Sequence, residues 1–210
     1  MEFNFFGFHL QLWKLHTALD YTVFALCLAG GVALLVLATK RMGKRRNDES
    51  ATLRVGKKLR RLGGRAGVLL PGSVLPKSEG YADAFFISPC GAFAVRCIGW
   101  GYRISGSLRA RQWRAGDAKE ERFISNPFAQ ASFAAEAATA KLAEQGISAG
   151  VEPLVVFADP FNPSPRFSLE GGANTIGFAE LKRWYRAQPD NVLDKDTIAK
   201  IARIFAPEKA

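Results

Sequence analysis

The sequence predicts an α/β domain, a mixed central sheet flanked by helices, preceded by a single transmembrane helix. Three observations carry this reading. Tyr21 to Thr39 (YTVFALCLAGGVALLVLAT) runs for nineteen residues without a charge. Behind it, short apolar runs of strand length are separated by turns bearing proline and glycine. Among those runs lies one long alanine-rich segment with the start and stop signals of a helix. At 210 residues the chain has room for one domain of ordinary size and an appendage.

Residues 1–20 contain FNFFGFHLQLW, rich in Phe, Leu and Trp, which suits a membrane interface as an interfacial helix or as a contact with partner subunits. The apolar run at residues 21–39 is long enough, at about 1.5 Å per residue, to cross a bilayer core of roughly 30 Å. A cleaved signal peptide carries its positive charge before the apolar run, and here the basic cluster KRMGKRR follows it. Residues 40–52 then read as a basic juxtamembrane linker. By the positive-inside rule they place the C-terminal domain in the cytoplasm, as a single-pass protein of the inner membrane. One span excludes a channel or transporter by itself.

Charge is concentrated. Between Lys40 and Arg65 there are eleven basic residues against Asp48 and Glu49, in a chain of net charge +10. Polyanions are the partners this implies: the lipid bilayer, and DNA. Three cysteines, with Cys27 in the apolar run and Cys97 in a strand, give no disulfide framework and favour a reducing compartment. No CxxC motif suggests zinc, and His9 and His16 both precede the apolar run.

The soluble domain is expected over residues 53–187, with a C-terminal helix in 188–210. After a polar linker, Asn47 to Ala51, a short basic helix is expected at Leu53 to Leu62, closed by Gly63-Gly64. A strand follows at Ala66 to Leu70. Asp83 to Ser88 and Ala92 to Ile98 form a hairpin around Pro89-Cys90-Gly91. Tyr102 to Leu108 is another strand and Gln112-Trp113-Arg114 a short one. Pro127 opens a helix over Phe128 to Gln145, capped by Asn126 or Ser125 and stopped by Gly146. Pro153 to Ala158 is a continuous apolar strand, and Phe178 to Ala187 and Asp194 to Phe205 are closing helices.

One residue breaks the pattern. GAFAVRCIGW (Gly91 to Trp100) reads as a strand covered on both faces, yet Arg96 stands in its middle. A buried arginine needs a partner or a purpose.

The segment ADAFFISPCGAFAVRCIGWGYRISGSL (Ala82 to Leu108), followed by Trp113 and by Asn126-Pro127-x-x-Gln130, resembles the nuclease-related domain (NERD) family. The resemblance covers roughly Arg54 to Tyr185 and implies the restriction-endonuclease-like fold of the PD-(D/E)xK superfamily. In the family pattern a first-helix acid follows a glycine, an aspartate opens the second strand, and the third strand carries Glu-x-Lys. Two carboxylates on adjacent strands suit Mg²⁺, while the lysine orients the attacking water.

Carried over, Asp83 matches the aspartate and Gln130 the helix glutamine. Lys57, after Gly56, stands for the first-helix acid, and Arg96 and Ile98 stand where Glu and Lys would be. The resemblance therefore implies a vestigial site at Lys57, Asp83, Arg96, Ile98 and Gln130, with an Asp83–Arg96 pair across the hairpin, no metal and no cofactor. The residues alone leave plainer readings open: Asp83 as a turn cap, Arg96 as a structural ion pair, Trp113 as core.

The expected function is a membrane-anchored, non-cleaving protein. It would bind DNA through Lys57, Lys58, Arg60, Arg61 and Arg96, or act as a scaffold among subunits of a DNA-handling membrane complex such as a conjugative transfer or secretion machine. Two alternatives remain: a Mg²⁺-dependent nuclease with an unusual residue set, and a structural membrane-complex subunit with no nucleic-acid contact.

Overall fold

The order of elements along the chain explains where charge and apolar surface meet. The computed structural model describes residues 2–5, 8–11, 18–42, 46–75, 80–117, 120–170 and 174–205. The chain divides into two units, Met1–Lys44 and Arg45–Ala210.

In the first unit, β1 (Glu2–Phe5) and β2 (Phe8–Gln11) pair antiparallel, Glu2 opposite Gln11. The N-terminal aromatic segment thus forms strands where an interfacial helix was one expectation. The helix α1 covers Ala18–Met42. The expected transmembrane span, and with it single-pass inner-membrane placement, requires correction: among the described residues no helix is long and apolar enough to cross a membrane.

The second unit begins with α2 (Asp48–Gly63). Asn47 caps it, its side chain accepting from Ser50 N at 2.9 Å. Asp48 and Glu49 lie in its first turn and Arg60 and Arg61 in its last, the arrangement a helix dipole favours. The stretch Asn47 to Ala51, read above as a linker, is therefore the cap and first turn. Next come β3 (Val68–Pro71), β4 (Ala84–Ser88), β5 (Gly91–Ile98), β6 (Arg103–Ser107), β7 (Gln112–Gly116) and β8 (Glu121–Ser125). After these follow α3 (Pro127–Glu144), β9 (Val151–Phe157), β10 (Arg166–Glu170), β11 (Thr175–Gly177), α4 (Leu181–Ala187) and α5 (Lys195–Ile204).

Two sheets result. The larger has the order β11-β9-β5-β4-β3. Its β3–β4 and β4–β5 pairs are antiparallel, and its β5–β9 and β9–β11 pairs are parallel. Layers of helix cover both faces, which is why β5 and β9 are nearly unbroken apolar runs. On one face Val55 and Leu59 of α2 and Leu181 and Trp184 of α4 meet Phe86, Phe93 and Val156. On the other, Ala134, Ala135 and Ala138 of α3 and Ile198 and Ile201 of α5 meet Phe85, Ile87 and Ala94. The C-terminal helix thus shares the core of the domain.

The smaller sheet has the order β10-β6-β7-β8. Ile104, Trp113 and Ala115 form its inner side and close over Ile98, Ala131 and Phe157. Trp113 is fully buried and its Nε1 donates to Ser107 O at 2.8 Å.

Candidate functional site

The site lies at the open end of the β4–β5 hairpin. Backbone pairing runs from Ser88 opposite Gly91 to Ala84 opposite Val95. Beyond that point the backbone of Asp83 still donates to Val95 O at 2.8 Å. The next donor, Cys97 N, is met by the side chain of Asp83, Oδ2 at 2.7 Å. A carboxylate has replaced a backbone carbonyl as acceptor, and this pins it beside the arginine of the neighbouring strand.

Arg96 Nη1 donates to Asp83 Oδ2 at 2.6 Å, with both side chains about one-tenth exposed. Nη1 also donates to Cys97 O at 2.9 Å, Nε to Gln130 Oε1 at 3.1 Å, and Nη2 to Asp48 Oδ2 at 2.9 Å. Four of the five N–H donors of a guanidinium are so engaged. Its plane also lies over the Tyr81 ring, 4.7 Å from the centroid. Asp48 comes from the first turn of α2, and its other oxygen accepts from Gly99 N at 2.9 Å. Gly80, at φ +114, turns the chain against the backbone of Ala134, and Tyr81 N then donates to Gln130 O at 3.3 Å. That positive φ is a glycine conformation.

Burial pulls the Arg96 pKa down, but the charges and hydrogen bonds of Asp83 and then Asp48 outweigh it and hold the guanidinium above its ordinary value. The charge of Asp83, followed by burial, pushes the Tyr81 phenol up. Burial drives the adjacent Cys97 thiol far above the usual range, so it is held neutral.

The structure brings Asp83, Arg96 and Gln130 together. Ile98 shares the strand face of Arg96 but is buried against Ile104, Trp113 and Phe157. Lys57 does not join the cluster. It is exposed and lines a groove of about 540 Å³ with Leu53, Gly56, Arg60, Arg61 and Leu69. Lys58 turns elsewhere: it donates to Phe178 O at 2.6 Å and lies 4.3 Å from that ring's centroid, and burial, then Lys182, lowers its pKa. Of the five basic residues expected at DNA, Lys57, Arg60 and Arg61 share an open face, while Lys58 and Arg96 are bound internally.

Sequence reasoning missed Asp48 and Tyr81. An asparagine followed by two acids is a helix-start signature, and it could have revealed Asp48. Tyr81 carried no signal beyond its closeness to Asp83. Lys141, far along α3, rests over Phe205 at 5.5 Å.

A second charged cluster stands at the carboxyl end of β9. Asp159, 1% exposed, accepts from Arg46 Nε at 3.2 and 3.1 Å (Oδ1 and Oδ2) and from Nη2 at 2.8 Å. Phe161 N donates to it at 2.9 Å, and Arg46 Nη1 reaches Asp117 at 3.0 Å. Among the described residues no group of three or more His, Cys, Asp or Glu side chains could hold a metal ion.

The fold and this cluster define a mixed α/β domain with carboxylates gathered at the open end of a hairpin and a guanidinium set among them. The nuclease-related domain family matches residues 47–158, more than half of the chain, and the chain belongs to that family. No curated protein and no solved structure matches it.

Proposed function

We propose that the chain is a non-cleaving member of the nuclease-related domain family that binds nucleic acid. In this reading the Asp83–Arg96–Gln130 cluster stands where the PD-(D/E)xK superfamily keeps its metal centre. The observation that carries it is the position of Arg96, between Asp83 and Asp48 and in hydrogen bonds to both. Mg²⁺ wants hard oxygen ligands in octahedral array. Here a fixed cation already occupies the space between the two carboxylates and hydrogen-bonds both, and the Asp83 oxygen nearest to it also accepts from Cys97 N. Residues so arranged do not fit the metal. Arginine gives up no proton at working pH, and Ile98 carries no amine to orient water.

Nucleic-acid binding draws its support from the open face of α2. Lys57, Arg60 and Arg61 project side by side along one groove, where cations attract phosphates and release their counterions.

The test has two arms. Supercoiled plasmid incubated with the full chain and Mn²⁺ should remain intact; nicking that disappears in Asp83→Ala would overturn the non-cleaving reading. For binding, duplex DNA should be retained at low salt. Lys57→Ala with Arg60→Ala and Arg61→Ala should flatten the log–log salt dependence by about 2.7, since each lost phosphate contact contributes a slope of about 0.9. An unchanged slope would remove α2 from the interface.

A further inference from the structure

The four-stranded sheet buries one face and leaves the other open. Exposure alternates along β10, with Arg166, Ser168 and Glu170 outward and Phe167 and Leu169 inward. The same alternation holds in β7, where Gln112 and Arg114 face out and Trp113 and Ala115 face in. In register across the sheet, Ser105 stands beside Arg114 and Arg114 beside Phe123. Phe123 is 64% exposed, and the Arg114 guanidinium lies 5.4 Å from its ring centroid.

Two features of this face are unfavourable for the protein alone. A large aromatic ring is held in solvent at the centre of a sheet edge. Arg166 and Arg103 are also direct register partners, and like charges side by side on neighbouring strands destabilise a sheet. The nearest acid in that row, Glu121, is two strands away, across Gly116, about 9.5 Å at the usual strand spacing. An anion lying along the row offsets that repulsion.

The chemistry narrows the anion. Every described cation on these four strands and on the turn from β6 to β7 is an arginine: 103, 109, 111, 114, 122 and 166. Arginine holds phosphates with a planar fork and stacks on flat rings, which lysine does not. Beside Phe123 lies a shallow depression of about 390 Å³ lined by Ser105, Gly106, Gln112 and Arg114. Its hydroxyl and amide can hydrogen-bond a base edge. Stacked bases within a duplex do not offer their faces, whereas single strands splay bases onto aromatic rings of exposed sheets.

We propose that the outer face of the β10-β6-β7-β8 sheet binds single-stranded nucleic acid, with Phe123 stacking a base, Arg114 beside it, and Arg103 with Arg166 holding the phosphates. The inference deepens the nucleic-acid reading given above and rests on it.

Fluorescence anisotropy of a labelled 20-nucleotide oligothymidine, titrated with the full chain, tests it against a duplex of the same length. Phe123→Ala should weaken oligothymidine binding on the order of 10-fold, the scale of one base stack, and leave its salt slope unchanged. Arg103→Ala with Arg166→Ala should lower that slope by about 1.4, at 0.7 per phosphate on a single strand. Phe123→Tyr, which keeps a ring, should restore binding. The α2 triple change should spare oligothymidine more than duplex.

If Phe123→Ala leaves affinity unaltered while the α2 change abolishes oligothymidine binding, the sheet proposal falls and the nucleic-acid reading stands. If neither oligothymidine nor duplex binds at low salt, both fall. Equal competition by polyglutamate would also overturn the sheet proposal, since an acidic peptide has no base to stack.

Discussion

Arg96 donates to Asp83 at 2.6 Å across the open end of the hairpin, and to Asp48 of α2 at 2.9 Å on its other side. One guanidinium therefore joins two strands to a helix. Arg96→Leu leaves two carboxylates facing each other without a counter-charge, and removing one partner of a buried ion pair costs roughly 3–5 kcal/mol. Asp48 is half exposed, so the lower end, about 3 kcal/mol, is expected at pH 7. Urea unfolding at pH 7 checks this; a Leu variant as stable as wild type would refute the joining role.

Asp159→Asn should destabilise the domain by about 2 kcal/mol at neutral pH, less than for a fully buried pair because Arg46 is 30% exposed. Burial pushes the Asp159 pKa up, but Arg46, Phe161 N and Asn162 outweigh it and hold it below the ordinary aspartate value. A depressed carboxylate stabilises fully above its unfolded pKa, about 3.9. That stabilisation is lost as pH falls through the lower, folded value. Wild type and variant should therefore converge below about pH 4. Parallel stability curves down to acid unfolding would contradict the pairing.

Asn126 is 3% exposed and uses both ends of its amide. Its oxygen accepts from Phe128 N and Ala129 N at 3.0 and 3.1 Å, and its nitrogen donates to Leu108 O and Ala110 O at 2.8 and 2.7 Å. Asn126→Ala should cost about 3 kcal/mol, combining a lost cap with two stranded carbonyls. Asn126→Asp keeps the cap acceptor but turns a second oxygen toward those carbonyls, and should be no better. Denaturation midpoints decide the matter, and a nearly silent Asp variant would show that the cap alone counts.

Burial, then a hydrogen bond with Cys90, raises the Tyr185 phenol to about 12. The folded chain holds that proton more tightly than the unfolded one, whose tyrosine titrates near 10. Stability from this source is full below about pH 10 and falls between pH 10 and 12. Tyr185→Phe should flatten the decline over that interval. An identical alkaline slope in both proteins would locate the loss elsewhere.

The hairpin at Asp83 to Ile98 was legible because two apolar runs flank Pro89-Cys90-Gly91, the arginine within it stood out against that apolar run, and its partner Asp83 followed from the resemblance to the family pattern. The long helix and its Asn126-Pro127 start were equally plain, since cap and N1 proline have strong side-chain preferences. The strands β8, β10 and β11 went unread. ERFIS and RFSLE each carry charges on the open side of a half-buried sheet, so their apolar content is too thin to separate from loop. The start of α2 was placed late for a related reason: Asn47 to Ser50 is polar throughout, and only the cap signature of an asparagine followed by two acids marks it as helix. Asp48 was lost with that turn, and the site lost its third element.

Arg46 is the second residue of its unit, immediately ahead of the cap of α2. Any mechanical load transmitted along the chain from residues 1–44 reaches it before it reaches the helix. The guanidinium grips Asp159 just past the end of a central strand. The chain ahead of α2 is thereby tied to the central sheet, and α2 with Asp48 is held at its start as well as along its packed face.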